Sequence, residues 1–186
     1  MSDNGEEGIQ YKCEYLDKDE IEEFNWLPRA GKAKITYQDG CTYEGTFDQN
    51  RLKTGKSTYK WFKVEEEETV VLAEYEGNYK DGAKSGIGKM KFPNGDEYTG
   101  EWSNNLQNGE GTCVYKKGKD IYSGTWVGGV KHGYGTYQFG IDDSMLQGEW
   151  KDGKFTSGKW IMKDGTFYEG SFSDGRPFGE GVYNFS

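Results

Sequence analysis

The sequence is organised by one short motif, aromatic-x-Gly-x-aromatic, which recurs with little change in spacing. The six instances, the fifth of which begins with leucine, are Tyr43-x-Gly45-x-Phe47, Tyr75-x-Gly77-x-Tyr79, Tyr98-x-Gly100-x-Trp102, Tyr122-x-Gly124-x-Trp126, Leu146-x-Gly148-x-Trp150 and Tyr168-x-Gly170-x-Phe172. From the second instance onward, their first residues are 23, 24, 24 and 22 residues apart. A Gly-x-Gly motif begins nine residues after the central glycine of four instances, at Gly86, Gly109, Gly133 and Gly179. Two motifs in a fixed phase predict a repeat architecture.

The spacing inside each motif predicts a strand. A period of two places the rings and the glycine on one face of an extended chain and the polar residues between them on the other face. Gly86, Gly88 and Met90 share a parity in the same way, and a turn signal at 93–95 returns the chain to Tyr98. Each repeat therefore predicts a β-hairpin. Helix is disfavoured because each glycine would cost about 1 kcal/mol in a helix interior.

Glycine on the same face as the rings predicts a particular kind of packing. A bare Cα leaves a pit in which a tyrosine or tryptophan ring of a neighbouring strand can lie. Composition agrees, because only 33% of the 186 residues are hydrophobic while 16% are aromatic and 29 are glycine. An average globular domain is about 45–50% apolar, so a row of rings, rather than a thick two-layer core, is expected to hold this chain together.

The phased pattern, best developed over residues 98–112 and 122–136, resembles the MORN repeat (membrane occupation and recognition nexus). The resemblance covers about residues 43–185. It implies an all-β fold, an elongated and twisted single-layer antiparallel sheet of hairpins, with the aromatic row lining a groove. Within the family, the chain resembles the small MORN subunits of ciliary and flagellar structures, including radial spoke heads, which have an acidic N-terminus followed by repeats.

The chain is expected to divide into an acidic N-terminal segment with a degenerate capping repeat, residues 1–42, and an array of six repeats, residues 43–186. Residues 17–24 are expected to form a short acidic helix or a loop. A hairpin insertion is expected at 61–74. In the fifth repeat, Trp160 of the Gly158-x-Trp160 sequence is expected to occupy the second glycine pit.

The rings are the candidate partner-binding site. Packing between repeats is expected to be their first role, with part of each ring left accessible to a partner because one layer cannot cover both of its faces. The groove residues are Tyr43, Phe47, Tyr75, Tyr79, Tyr98, Trp102, Tyr122, Trp126, Trp150, Tyr168 and Phe172. An acidic knob of Glu65, Glu66, Glu67 and Glu68 is either a solvated hairpin tip or a contact for a basic partner. The last strand, near 179–186, is expected to pair with a partner or a second copy through its open edge.

Several classes of function are disfavoured by charge and residue usage. The net charge is −9, with 32 acidic and 23 basic residues, which argues against nucleic acid and against anionic lipid. The three cysteines are widely spaced, and no apolar run approaches the ~20 residues that span a bilayer, so a reduced intracellular compartment is expected. A single histidine, His132, cannot complete a catalytic set. Residues 50–57 lack the first glycine of a phosphate loop. We expect no enzyme activity, no metal and no cofactor.

These observations lead to a non-enzymatic protein-interaction scaffold as the first hypothesis. The resemblance implies a cytoplasmic or cytoskeletal location, in the axoneme of a cilium or flagellum such as the radial spoke head, with axonemal or cytoskeletal subunits as partners. The alternatives are a peripheral membrane module that binds phosphoinositides, a cytoplasmic adaptor, and a regulatory partner of an enzyme. A second copy of the chain is a further candidate partner.

Overall fold

The computed structural model describes residues 11–16, 20–24, 29–65 and 68–185. Within these ranges the chain forms strands and turns and no helix. It divides into two compact units, residues 1–85 and 86–186. The prediction of an all-β fold of antiparallel hairpins is confirmed for the described residues.

The strands of the first unit form one open antiparallel sheet. They are β1 (Tyr11–Tyr15), β2 (Glu20–Phe24), β3 (Gly31–Thr36), β4 (Thr42–Phe47), β5 (Lys53–Glu65) and β6 (Glu68–Lys80). Their order across the sheet is β6-β5-β4-β3-β1-β2, with every neighbouring pair antiparallel. β5 and β6 form one long hairpin that pairs as far as Glu65↔Glu68 and includes segment 61–74.

The expectation for residues 17–24 is wrong over its second part, because Glu20–Phe24 forms strand β2 rather than a helix or a loop. β2 pairs with β1 from Tyr11↔Phe24 to Tyr15↔Glu20. A helix this short is marginal in water, whereas β1 offers hydrogen-bond partners along the whole segment. Residues 17–19 lie outside the described residues. The division of the chain at 42/43 stays a prediction, and it falls at the start of β4 inside the first unit.

The strands of the second unit follow one another in the sheet as they do in the sequence. They are β7 (Ala83–Lys91, which begins just before the unit boundary), β8 (Glu97–Ser103), β9 (Leu106–Val114), β10 (Ile121–Val127), β11 (Val130–Gln138), β12 (Met145–Lys151), β13 (Lys154–Ile161), β14 (Phe167–Ser173) and β15 (Arg176–Asn184). All neighbouring pairs from β7 to β15 are antiparallel.

Register places the glycines of the two motifs opposite each other. The pairs within one hairpin are Gly100↔Gly111, Gly124↔Gly135, Gly148↔Gly158 and Gly170↔Gly181. The first tyrosine of the motif lies across such a pair: a Cβ atom added to Gly100 would stand 2.6 Å from the Tyr98 hydroxyl oxygen, and one added to Gly111 would collide with the same hydroxyl and ring. Tyr122 and Tyr168 cover their pairs in the same way. The packing of rings into glycine pits is confirmed.

The first glycine of the Gly-x-Gly motif has a different physical reason. Gly133 has a φ of 57°, in the left-handed region that side chains rarely adopt. The second glycine, Gly135, provides the pit under the Tyr122 ring. The motif therefore needs one glycine for the backbone and one for the ring.

Hydrogen bonds satisfy the polar atoms of the buried rings. The Tyr98 hydroxyl donates to the Glu101 carbonyl at 3.0 Å, and the Trp126 Nε1–H donates to the Gly111 carbonyl at 3.1 Å. The tyrosine bond recurs at Tyr43, Tyr75 and Tyr122, and the tryptophan bond recurs at Trp102 and Trp150. Because a buried polar group without a partner costs about 1–3 kcal/mol, these bonds allow tyrosine and tryptophan to act as core residues.

The rings contact one another edge to face along the second unit. Tyr98 lies 5.2 Å from Trp102 of its own motif and 5.3 Å from Trp126 of the next, with interplanar angles of 89° and 84°. Tyr122 repeats this geometry with Trp126 and Trp150. Each tyrosine thus joins its own hairpin to the following one, in the arrangement that aromatic pairs prefer.

The first repeat departs from the glycine pair, and the fifth keeps it with a different spacing. Ser57 lies beside Gly45 in the first repeat, and it accepts a 3.0 Å hydrogen bond from the buried Tyr43 hydroxyl. In the fifth repeat the expectation for the indole is wrong: Gly158 itself pairs with Gly148, and Trp160 pairs with Leu146. The hairpin is one residue shorter between its facing glycines, 148 and 158, than the preceding hairpin is between 124 and 135, so Gly158 holds the pit and Trp160 lies beyond it.

The Gly111→Ala change tests the pit directly. A Cβ atom at this position would overlap the Tyr98 hydroxyl and ring, so we expect the free energy of unfolding to fall by about 1–3 kcal/mol, as for other overpacked cores. Val114→Thr, at an exposed β-branched residue on the opposite face of the same strand, is the control and should change it by less than about 0.5 kcal/mol. Urea denaturation measures both, and equal effects of the two substitutions would contradict the assignment.

Candidate functional site

The eleven predicted groove residues form the core of the sheet. We call them the pit rings: Tyr43, Phe47, Tyr75, Tyr79, Tyr98, Trp102, Tyr122, Trp126, Trp150, Tyr168 and Phe172. The expectation that part of each stays accessible is wrong, because Tyr43, Tyr75, Tyr98 and Tyr122 have an exposed fraction of 0% and the others at most 7%. Edge-to-face contact with the next ring covers the surface that a single layer was expected to leave open. Their part in partner binding stays a prediction.

A second row of rings lies on the same face and is half-exposed. We call these the rim rings: Tyr37, Tyr59 and Trp61 in the first unit, and Phe92, Tyr115, Tyr137, Phe139 and Trp160 in the second. Apart from Tyr37, each rim ring lies two or four residues after the second glycine of a Gly-x-Gly motif. Ser57 takes the place of this glycine in the first repeat, and Gly158 in the fifth. Sequence reasoning missed this row because Met90 and Cys113 stand at two of its positions. The signal was the period of two, which continues past the Gly-x-Gly motif.

In the first unit, the rim rings form a short stack. Tyr37 and Tyr59 are 5.8 Å apart with nearly parallel planes, and Tyr59 lies 4.3 Å from Trp61. A cavity of about 510 Å³ opens beside them, lined by Tyr37, Gln38, Asp39 and Tyr59. Burial raises the pKa of Tyr59 to about 12, so its hydroxyl keeps its proton at neutral pH.

In the second unit, Tyr137 connects the two rows. Its ring centroid lies 6.0 Å from those of Tyr115 and Trp150 and 5.0 Å from that of Phe139. Its hydroxyl donates to Asp120 Oδ2 at 2.6 Å, and Asp120 Oδ1 accepts the Gly140 N–H at 2.8 Å. The rim is therefore held in place by the core beneath it and by the loop beside it.

Three lysines lie between the rows, each two residues before the glycine that starts the Gly-x-Gly or equivalent sequence. The Lys53 Nζ lies 4.4 Å from the Tyr59 ring centroid and 4.8 Å from that of Tyr43, with Tyr37 and Tyr79 within 5.8 Å. Lys131 lies 4.3–5.3 Å from Tyr137, Trp150, Tyr115 and Tyr122, and Lys84 lies 5.1 Å from Tyr75 and 5.6 Å from Trp61. Ring faces attract a cation, so each ammonium is partly solvated by aromatic rings.

Burial perturbs all three ammonium groups. It lowers the pKa of Lys53 to about 8, and it lowers the pKa values of Lys84 and Lys131 as well. For Lys131 the nearby Asp120 carboxylate opposes the shift in part. No ion pair found among the described residues involves Lys53 or Lys131.

The predicted acidic knob lies only partly within the described residues. Glu66 and Glu67 fall outside them, and Glu65 pairs through its backbone with Glu68, whose side chain is exposed. Nothing in the geometry places a partner there, so the knob stays a prediction.

The described residues show none of the side-chain clusters that a metal site requires. Histidine, cysteine and carboxylate groups do not come together in sets of three that could hold a metal ion there. Cys13, Cys41 and Cys113 are buried and form no disulfide among the described residues. Burial raises the pKa values of Cys41 and Cys113, which keeps these thiols protonated. Nor do the described residues include a helix long and apolar enough to span a bilayer.

Comparison with known proteins identifies the repeat. A family model described as the MORN repeat matches residues 75–97, 98–119, 122–144, 147–156 and 168–186, which together are just over half of the chain. The first predicted repeat, with its Ser57 and the insertion at 61–74, lies outside these segments. The chain is also similar to MORN repeat-containing protein 3 of Xenopus laevis, with 64% identity over 28 residues. This match covers 15% of the chain and spans only 12% of the length of that curated relative.

The lowered pKa of Lys53 predicts a pH dependence of stability. Between about pH 8 and pH 10.5, the ordinary pKa of lysine, Lys53 is protonated in the unfolded chain but deprotonated in the folded one. The free energy of unfolding therefore rises with pH in this window. We therefore expect the free energy of unfolding of the wild type to rise relative to that of Lys53→Met from pH 7.5 to pH 9.5. The tyrosines, whose raised pKa values destabilise the fold above pH 10, are common to both proteins and cancel.

Chemical denaturation at four pH values across this window measures the difference between the two proteins. A difference that does not change with pH would contradict the burial of the Lys53 ammonium. Lys12→Met, at an exposed lysine that pairs with Glu14 at 3.0 Å, is the control for the loss of a lysine from the surface.

Proposed function

The chain belongs to the MORN-repeat family, and on that premise we propose that it is a non-enzymatic scaffold that holds other proteins together. MORN repeats usually mediate protein or membrane interactions. The observation that carries the proposal is the rim rings, which form a cluster of half-exposed aromatic residues in each unit although the pit rings beneath them are buried. Exposed aromatic patches mark interaction sites, where tyrosine and tryptophan provide much of the binding energy.

The contacts with a partner lie where aromatic side chains remain exposed. The rim rings bind the partner, and the pit rings act through them by fixing their positions, as Trp150 does for Tyr137. β15 offers a second contact: all of its residues are exposed, among them Phe178 and Val182, and an open strand edge pairs readily with another chain or a second copy. The acidic tip at 65–68 is a third contact, for a basic partner.

The cellular setting is the axoneme of a cilium or flagellum, such as the radial spoke head, with axonemal or cytoskeletal subunits as partners. The support for this finer proposal is the resemblance of the sequence to the small MORN subunits of those structures. A mechanical role suits a chain whose repeats are joined by buried rings along each unit.

Detergent extraction of ciliated cells that carry a tagged copy tests the proposal. We expect the wild type to stay with the detergent-resistant axoneme. The double variant Phe139→Ala/Trp160→Ala, which removes two rim rings, should be released into the soluble fraction. Tyr134→Ala, which removes an exposed ring from the opposite face of β11, is the matched control and should be retained.

Melting temperatures of the purified variants exclude unfolding as the cause of release. Release of the wild type with the membrane fraction would contradict the scaffold and favour a lipid-binding module. Release of the wild type as free protein would contradict the axonemal setting, and equal retention of the double variant would contradict the role of the rim.

A further inference from the structure

The rim rings of the first unit differ from the pit rings in how their polar atoms are used. A pit ring such as Tyr43 has its hydroxyl paired within the sheet, with the Thr46 carbonyl at 3.2 Å. Among the described residues, no hydrogen bond uses the Tyr59 hydroxyl or the Trp61 Nε1–H, and both side chains are half-exposed. Two hydrogen-bond donors therefore remain available at this surface.

The cavity beside these rings adds a third donor and a carboxylate. It is lined by Tyr37, Gln38, Asp39 and Tyr59. Gln38 is exposed, and its amide has no hydrogen-bond partner within the described ranges. Asp39 Oδ1 accepts the Cys41 N–H at 2.9 Å, but this exposed carboxylate belongs to no ion pair of the described residues. The site thus combines aromatic walls, hydrogen-bond donors and a negative charge that a cation can reach.

Lys53 lies against the same rings without neutralising Asp39. Its Nζ is 4.4 Å from the Tyr59 ring centroid and 5.7 Å from that of Tyr37, and burial is the sole cause of its lowered pKa. The Asp39 carboxylate instead helps burial to raise the pKa of Tyr59 to about 12. The Tyr59 hydroxyl therefore keeps its proton at neutral pH and stays a donor.

A segment that offers acceptors and few donors matches this surface. Proline has no N–H, and a polyproline II (PPII) segment makes no internal hydrogen bonds, so its carbonyls are unpaired. The carbonyls of an α-helix are already paired within the helix. A helix laid on the rings would therefore leave the Tyr59 and Trp61 donors without good acceptors.

The row of rings also has a suitable length. Tyr37 and Tyr59 are 5.8 Å apart, and Tyr59 and Trp61 are 4.3 Å apart. A PPII segment advances ~9 Å in one turn of three residues, which is close to the length of this three-ring row. Prolines spaced three residues apart can thus contact the two ends of the row, in the way that PPII segments dock on aromatic-lined grooves.

Resting on the scaffold function, we propose that the rim rings of the first unit bind a proline-rich segment in the PPII conformation, with a lysine or arginine beside its prolines. The prolines pack on the three rings, and the carbonyls between them accept hydrogen bonds from the Tyr59 hydroxyl and the Trp61 Nε1–H. The basic side chain enters the cavity and pairs with Asp39. The net charge of −9 favours the approach of a basic segment.

Selection from a random library of 12-residue peptides displayed on phage, with the full chain as target, tests the proposal. We expect the enriched peptides to contain prolines three residues apart with a lysine or arginine nearby. Isothermal titration calorimetry then measures the affinity of a selected peptide for the variants. Tyr59→Phe/Trp61→Phe, which keeps both rings but removes both donors, should bind it about tenfold more weakly, because two hydrogen bonds are lost.

Asp39→Asn tests the charge. Asparagine keeps an oxygen for the Cys41 N–H, so the turn should be preserved while the ion pair is lost. We expect about fivefold weaker binding of the selected peptide, and no effect of the substitution on a peptide whose basic residue is replaced by glutamine. Lys53→Met should not weaken binding, because the proposed segment brings no carboxylate to this lysine.

Tyr134→Phe, which removes an exposed hydroxyl in the second unit, is the matched control and should bind as the wild type does. Melting temperatures confirm that each variant is folded. Enrichment of acidic peptides or of peptides without proline, absence of enrichment, or equal binding of the selected peptide to Tyr59→Phe/Trp61→Phe would each overturn the proposal.

These outcomes separate the two proposals. Retention in extracted cells tests the scaffold through two rim rings of the second unit, without reference to proline. Peptide selection tests the rim rings of the first unit, without reference to the axoneme.

Discussion

A tyrosine ring lying across two facing glycines is the contact on which the rest of the structure depends. The ring of Tyr98 fills the space that side chains at Gly100 and Gly111 would need. Because the ring spans both strands of its hairpin and contacts Trp126 of the next, one residue type fixes the hairpin, its register and its neighbour. A burial of roughly 150–250 Å² per ring lets a single layer replace the second layer that most domains use as a core.

Much of this could be predicted from the sequence, because strand parity and glycine spacing are local properties. The hairpins, the pits and the pit rings follow from the period of two. The burial of the rings could not be predicted, since it arises from contacts such as Tyr122 with Trp150, which join different repeats. The position of Trp160 depends on the register of β13, which strand pairing sets: Gly158 rather than Trp160 faces Gly148. Of the segment 17–24, where a helix or loop was expected, Glu20–Phe24 pairs with β1, which is again a tertiary effect.

The candidate site could not be predicted in full from the sequence either. Its rim rings occupy positions that vary in identity, so repetition does not reveal them, and their half-exposed state depends on what packs beneath. The lysines look like ordinary solvated residues in the sequence. Only the fold places the ammonium groups of Lys53 and Lys131 over ring faces.

Nuclear magnetic resonance of the glycine α-protons tests the central contact most directly, because a proton beneath an aromatic ring face is shifted upfield by the ring current. The account predicts strong upfield shifts for Gly111, Gly135 and Gly181, with nuclear Overhauser effects to the rings of Tyr98, Tyr122 and Tyr168. Gly55, Gly128 and Gly153, which have open space where a side chain would be, should show ordinary shifts. Ordinary shifts at the first three glycines, without contacts to the tyrosine rings, would contradict the account.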